Sequence, residues 1–237
     1  MKIGVFDSGI GGLTVLKNLV SRFPNNEYIY YGDTKNVPYG NKSIDELKLL
    51  SQNIIDFLIN KNVELIIIAC GTISSNLSDY LRNKYSIRII DIVSPTINYL
   101  NNSNYNKIGV IATSNTIRSN IFLNNINKDI KQVECPQFVP IIENKRYDEL
   151  VFYFNSYLSD LKDRDILVLG CTHYPIIKDR IQNYLPNCYI LNMSDNICGI
   201  SNIGNNSINL YFTKLNDIII SNVHDIMNNI DYSIKEI

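Results

Sequence analysis

The chain has 237 residues, enough to bury a substantial core as one large domain or two smaller ones. Hydrophobic residues make up 45% and charged residues 19%, with a net charge of −1, so nothing in the balance calls for nucleic acid or an anionic membrane as partner. No apolar run reaches the roughly 20 residues of a membrane span, and the opening segment enters a strand without the apolar core and cleavage site of a signal peptide; a cytoplasmic protein is expected.

Lys2-Ile-Gly-Val-Phe6 reads as a buried strand running into Asp7-Ser-Gly-Ile-Gly-Gly12, and Leu13 to Arg22 carries apolar residues at helical spacing. Strand, glycine turn, helix opens an α/β unit, with glycines that let backbone approach a ligand and helix N–H groups suited to an anion. The spacing is not G-x-G-x-x-G, and Asp7 puts a carboxylate where a pyrophosphate would sit, which argues against a dinucleotide. Glu27–Tyr31 is a second strand, followed by Gly32-Asp33 and the turn Val37-Pro-Tyr-Gly40. Ser43 to Asn60 is an amphipathic helix, with Ser43 and Glu46 forming a capping box. Val63 to Ile68 is an apolar strand ending at Cys70; a helix near Ser75–Lys84 and a strand over Ile87–Ile92 follow. This alternation predicts an α/β fold with mostly parallel sheets.

The polar stretch 101–106 reads as a crossing between domains, and Lys107-Ile-Gly-Val-Ile-Ala-Thr-Ser114 then echoes Lys2-Ile-Gly-Val-Phe-Asp-Ser8. Val133–Pro136 is strand-like, and Phe138–Glu143 ends an apolar stretch on a carboxylate. Tyr147 to about Asp160 is helical, with Leu150, Val151, Phe154, Tyr157 and Leu158 as its apolar stripe. Asp165-Ile-Leu-Val-Leu-Gly-Cys-Thr-His173 repeats the plan of the Cys70 strand; a helix from Tyr174-Pro175 to about Tyr184 and a strand over Cys188–Leu191 come next. The tail holds Tyr211-Phe-Thr and an amphipathic segment over 215–227, placed to return to the first domain. Two pseudo-symmetric α/β units are expected, residues 1–97 plus about 207–237 and residues 98–206, with Cys70 and Cys171 on opposite walls of one cleft.

Five cysteines without a C-x-x-C, and two histidines far apart, fit neither a disulfide framework nor a zinc site. Acyl transfer would use Cys171 with His173 alone. Acid–base work on a substrate carbon uses both thiols, one on each face: one thiolate takes a proton, the opposite thiol returns one, and a stereocentre inverts. Asp7, Glu143 and His173 are candidate assistants; their plainer readings are a helix-cap carboxylate, a surface residue and a packed imidazole.

Asp7-Ser-Gly-Ile-Gly-Gly-Leu13, Gly32-Asp33 with Pro38-Tyr-Gly40, Ala69-Cys70 with Thr72, Ala112-Thr113 with Thr116, Pro140 with Glu143, and Gly170-Cys-Thr-His-Tyr-Pro175 resemble, in this order, the cofactor-independent glutamate racemases of the aspartate/glutamate racemase superfamily. The resemblance implies two α/β domains enclosing an amino acid, with the C-terminal segment rejoining the first. It implies that Cys70 takes the α-proton of the D-enantiomer and Cys171 that of the L-enantiomer, assisted by Asp7, His173 and Glu143. Ser8, Tyr39, Gly40, Thr72 and Thr172 would bind the substrate's carboxylates and amino group, with Asp7, His173, Thr113 and Thr116 as further contacts. It also implies no cofactor, a homodimer, and supply of D-glutamate for peptidoglycan. The departure is Gly71, where the family has Asn: a lost substrate hydrogen bond costs about 1.5–3 kcal/mol. That leaves open a racemase of aspartate or another amino acid, or an amino-acid-binding relative without catalysis.

Overall fold

The computed structural model covers residues 1–237. Its first unit runs β1 (Lys2–Asp7), α1 (Gly12–Arg22), β2 (Glu27–Gly32), α2 (Ile44–Asn60), β3 (Leu65–Ile68), α3 (Gly71–Lys84), β4 (Arg88–Asp91) and α4 (Val93–Asn102). The second runs β5 (Lys107–Ala112), α5 (Ser114–Arg118), α6 (Ile121–Asn125), β6 (Asp129–Glu134), α7 (Phe138–Glu143), α8 (Leu150–Leu158), β7 (Ile166–Leu169), α9 (Lys178–Tyr184) and β8 (Tyr189–Asn192). The chain closes with β9 (Ser207–Phe212), α10 (Asp217–Ile226) and β10 (Ser233–Glu236). All strand pairs are parallel, in a sheet ordered β10-β9-β2-β1-β3-β4 and another ordered β6-β5-β7-β8. The repeated Lys-Ile-Gly-Val segments therefore hold equivalent places, β1 between β2 and β3 and β5 between β6 and β7.

Local sequence explains most of these elements. β3 and β7 are apolar and buried on both faces, as central parallel strands covered by helices require. The Ser43 hydroxyl accepts the Glu46 N–H while the Glu46 carboxylate accepts the Ser43 N–H, and α2 then buries Leu47, Ser51, Ile54, Ile55 and Leu58 along one face. Pro95 sits in the first turn of α4, where a missing N–H costs nothing, so that helix passes through it and absorbs Asn101 and Asn102. The crossing between units shrinks to residues 103–106.

Several elements depart from the sequence reading. α3 begins at Gly71, not near Ser75, because the Ser75 and Ser78 hydroxyls fold back onto the Gly71 and Ser74 carbonyls and are compatible with helix. The Phe138–Glu143 stretch is a helix that buries Phe138, Val139, Ile141 and Ile142. The helix expected over 147–160 is broken into 3₁₀ turns around α8, and its buried stripe is Leu150, Phe154 and Leu158; Val151 is 69% exposed and does not belong to it. β6 starts at Asp129, hidden in sequence because this edge strand has no fully buried position, and β10 is hidden for the same reason. The tail does return to the first sheet: β9 pairs with β2, and Leu210 and Phe212 are fully buried. One apolar core joins the two units, with Ile3 and Val5 in the same cluster as Ile108, Val110, Ile166 and Val168. No helix is long and apolar enough to cross a membrane.

Candidate active site

Ligands of open parallel sheets bind beyond the carboxyl ends of the strands, and here those ends face one another. β3 stops at Ile68, and Cys70 is the N-cap residue of α3. β7 stops at Leu169, and Gly170 links it to Cys171. The thiols, 4% and 6% exposed, line a single cavity with Ser8, Pro38, Tyr39, Gly40, Gly71, Thr72, Thr113, Val139, Thr172 and His173. Ten of the sequence-derived site residues thus meet in one place. Asp7, Glu143 and Thr116 stand one layer behind it.

On the Cys171 side the groups form a line. Cys171 Sγ lies 3.7 Å from His173 Nδ1, and His173 Nε2 lies 2.6 Å from Glu143 Oε1. Burial works to lower the imidazole pKa, but hydrogen bonding to Cys171 and Glu143 and their negative charge outweigh it and hold it well above the ordinary histidine value. Glu143 meets the thiol only through His173 and does not line the cavity.

On the Cys70 side burial raises the thiol well above its ordinary value and the Asp7 carboxylate adds to the rise, while the Ile73 N–H and the Ser8 hydroxyl favour the thiolate. Asp7 is fully buried; it accepts the Gly12 N–H at 2.8 Å and lies 3.4 Å from the Thr172 hydroxyl of the second unit. The helix-cap reading of Asp7 is therefore correct as far as it goes, and the same carboxylate acts on Cys70 through its charge. Thr72 Oγ1 is 2.9 Å from Thr113 Oγ1, which is 3.1 Å from Thr116 Oγ1, a hydroxyl chain that crosses the cleft. Tyr39 lines the cavity with its ring, but its hydroxyl donates to Asp33 and is not free for a ligand.

In the glycine turn Asp7 accepts the Gly12 N–H and, at 3.4 Å, that of Gly9, and Ile10 donates to Glu143 Oε1 at 3.4 Å. A Cβ on Gly9 would come within 2.6 Å of Glu143 Oε1, and one on Gly11 within 2.4 Å of His173 Nδ1. These glycines let one domain lie flat against the His173–Glu143 pair of the other. Gly9, Gly11, Val139 and Asn115, which donates to the Tyr39 and Lys42 carbonyls, were not singled out as site residues. Only the motif match at 7–13 pointed near the first two, and no local signal marks the others. No group of three or more His, Cys, Asp or Glu side chains is arranged to hold a metal ion.

Two facing parallel-sheet domains, each presenting a buried strand-end thiol to a shared cavity, are the architecture of a two-domain racemase. The chain belongs to the family described as Asp/Glu/Hydantoin racemase, which matches residues 3–192, and so is an isomerase of the racemase type. It is 38% identical over 229 residues to a glutamate racemase of Hydrogenobaculum, an alignment covering 91% of this chain and 88% of that protein. Its fold superposes on the glutamate racemase of Aquifex pyrophilus with a TM-score of 0.85 at 33% identity, covering 100% and 98% of the two chains. The corresponding values for the Francisella tularensis glutamate racemase solved with D-glutamate are 0.84, 32%, 100% and 97%.

Proposed function

We propose that the protein interconverts L- and D-glutamate by two proton transfers between Cys70, Cys171 and the α-carbon. The observation that carries this reading is the pair of buried thiols lining one cavity from the ends of equivalent strands in the two domains. The names of its relatives, glutamate racemases, support glutamate as the substrate. With L-glutamate bound, the Cys171 thiolate takes the α-proton and the Cys70 thiol delivers its own proton to the opposite face, leaving Cys70 as thiolate and Cys171 as thiol. D-glutamate runs the same exchange backwards. The His173–Glu143 pair supports negative charge on Cys171; Ile73 N–H, Ser8 and the end of α3 support it on Cys70. Ser8, Thr72, Thr113 and Thr172 supply hydroxyls for the carboxylates and amino group. The two units, divided at residues 103–106 rather than the expected 97/98 because α4 runs unbroken to Asn102, and with the tail from about 207 in the first, act as the two halves that close on substrate. Homodimerisation, a cytoplasmic location and supply of D-glutamate to peptidoglycan complete the reading, on the strength of family membership.

Incubation with either glutamate enantiomer in deuterated water tests it. The antipode should form with deuterium at the α-carbon and no added cofactor, and aspartate run in parallel should exchange far more slowly. Cys70→Ser and Cys171→Ser should each lower inversion by about 10²–10⁴-fold, the range of one positioned acid or base. Normal inversion in either variant rules out the two-thiol route, and faster turnover of aspartate moves the substrate assignment.

A further inference from the structure

Gly71 directly follows Cys70 and opens α3; Gly170 directly precedes Cys171. The two meet across the cleft. A Cβ built on Gly71 would stand 2.4 Å from the Gly170 carbonyl oxygen, a separation that real side chains do not show, and 3.5 Å from Met193 Cε. The obstacle is backbone, so no rotamer change relieves it. Nor has Gly170 room to withdraw: its N–H is bonded to the Ile111 carbonyl at 2.7 Å, and a Cβ of its own would meet that carbonyl at 2.8 Å and Ala112 Cβ at 2.9 Å. Gly71 has an ordinary helical conformation without positive φ, so glycine is needed here for space and not for backbone freedom. The cavity enclosed between the two thiols is about 10 Å³, room for about one water, so on the racemase reading an amino acid enters only when the walls separate.

We propose that Gly71 is a positioning residue for racemisation: its bare α-carbon is the stop against which the Cys171 wall closes, and it sets the span between the thiols. The proposal rests on the racemase reading and deepens it. Inversion needs both thiols within proton-transfer reach of one carbon, from opposite faces, and positioning of this kind is sensitive to displacements of about 1 Å. A β-carbon at position 71 props the walls apart. The nearer thiol still takes the α-proton, but delivery from the far thiol slows; the longer-lived carbanion gives the nearer S–H time to exchange with the deuterated water that the propped cleft admits, and deuterium is then returned on the face the proton left. Gly71 on this account is no mere loss of a polar contact; the closed cleft is shaped around it.

The test follows glutamate in deuterated water with the full chain and its Gly71→Ala and Gly71→Asn variants. Two rates are read: inversion, and deuterium uptake into recovered starting enantiomer. Gly71→Ala should lower kcat for inversion by about 10–10²-fold and raise the ratio of exchange to inversion at least about tenfold, with Gly71→Asn more severe. A merely destabilised protein would lose both rates together, leaving the ratio unchanged. An unchanged kcat and ratio in Gly71→Ala, or faster glutamate turnover in Gly71→Asn, overturns the proposal while the racemase reading stands. If the unmodified protein neither exchanges nor inverts glutamate, the racemase reading itself fails. Should the variants not fold, a crystal structure of the unmodified protein with glutamate bound decides: the Gly71 α-carbon should remain too close to the Gly170 carbonyl to admit a Cβ, and a gap wide enough for one overturns the proposal.

Discussion

His173 is 1% exposed and held from both sides, by Cys171 at Nδ1 and by Glu143 at Nε2. Its folded pKa is raised above the ordinary value of 6.5, so the pair's contribution to stability is fully present below that value and is lost as pH rises through the folded one. Glu143→Gln should therefore cost roughly 1.5–3 kcal/mol, the worth of a hydrogen bond to a charged group, when unfolding is measured below pH 6.5. The cost should shrink steadily in alkaline buffer; a pH-independent gap would mean that the imidazole is neutral throughout. The same variant should slow inversion, since His173 loses the carboxylate that helps hold its pKa up. At this scale the sequence told much. Cys70, Cys171 and His173 could be picked out because reactive residue types stand just past apolar strands, whereas the surface reading of Glu143 fails only in three dimensions, where α7 turns it toward His173.

Strand, thiol, helix is the unit that repeats, and the turn after each strand decides what the thiol meets. After β3, Cys70 stands at the start of α3, with the Ile73 N–H near its sulfur; after β7, Cys171 is followed by Thr172 and His173 before a 3₁₀ turn begins at Tyr174. The two halves are thus alike in topology and different in chemistry, hydroxyl and helix end on one side, imidazole and carboxylate on the other. The turn from Gly9 to Gly12 couples them. Gly11→Ala would press a methyl group into His173 Nδ1 and, at 2.7 Å, Thr172 Oγ1. We expect kcat to fall about 10²-fold, as for a displacement of roughly 1 Å at a reacting group, with the unfolding midpoint little changed, because the clashing atoms are side chains across a cleft that can open. Retained kcat would show that the cleft accommodates the methyl without moving His173.

At the scale of the molecule, the C-terminal segment completes the first sheet after the chain has built the second. Phe212 at the end of β9 is fully buried, packs on Tyr30 with ring centroids 5.7 Å apart, and fills the space that a side chain on Gly32 would need. Phe212→Ala should destabilise the fold by about 3–5 kcal/mol in denaturant titration, the range for emptying a buried aromatic site. A loss below about 1 kcal/mol would mean that the tail is dispensable to the core. The shared apolar cluster beneath the cleft packs the two halves onto one another.

The sequence by itself determined the α/β class, the internal repeat, the pair of strand-end thiols and the return of the tail. Those follow from local periodicity and from residue types that stand out against it, and neighbours along the chain set both. Only the tertiary structure decided which groups touch across the cleft: that Glu143 backs His173, that the glycines at 9 and 11 face that pair, that the Tyr39 hydroxyl is spent on Asp33, and that Gly71 lies against the Gly170 carbonyl. Such contacts join residues many tens of positions apart, and their distances are set by how two separately patterned sheets pack.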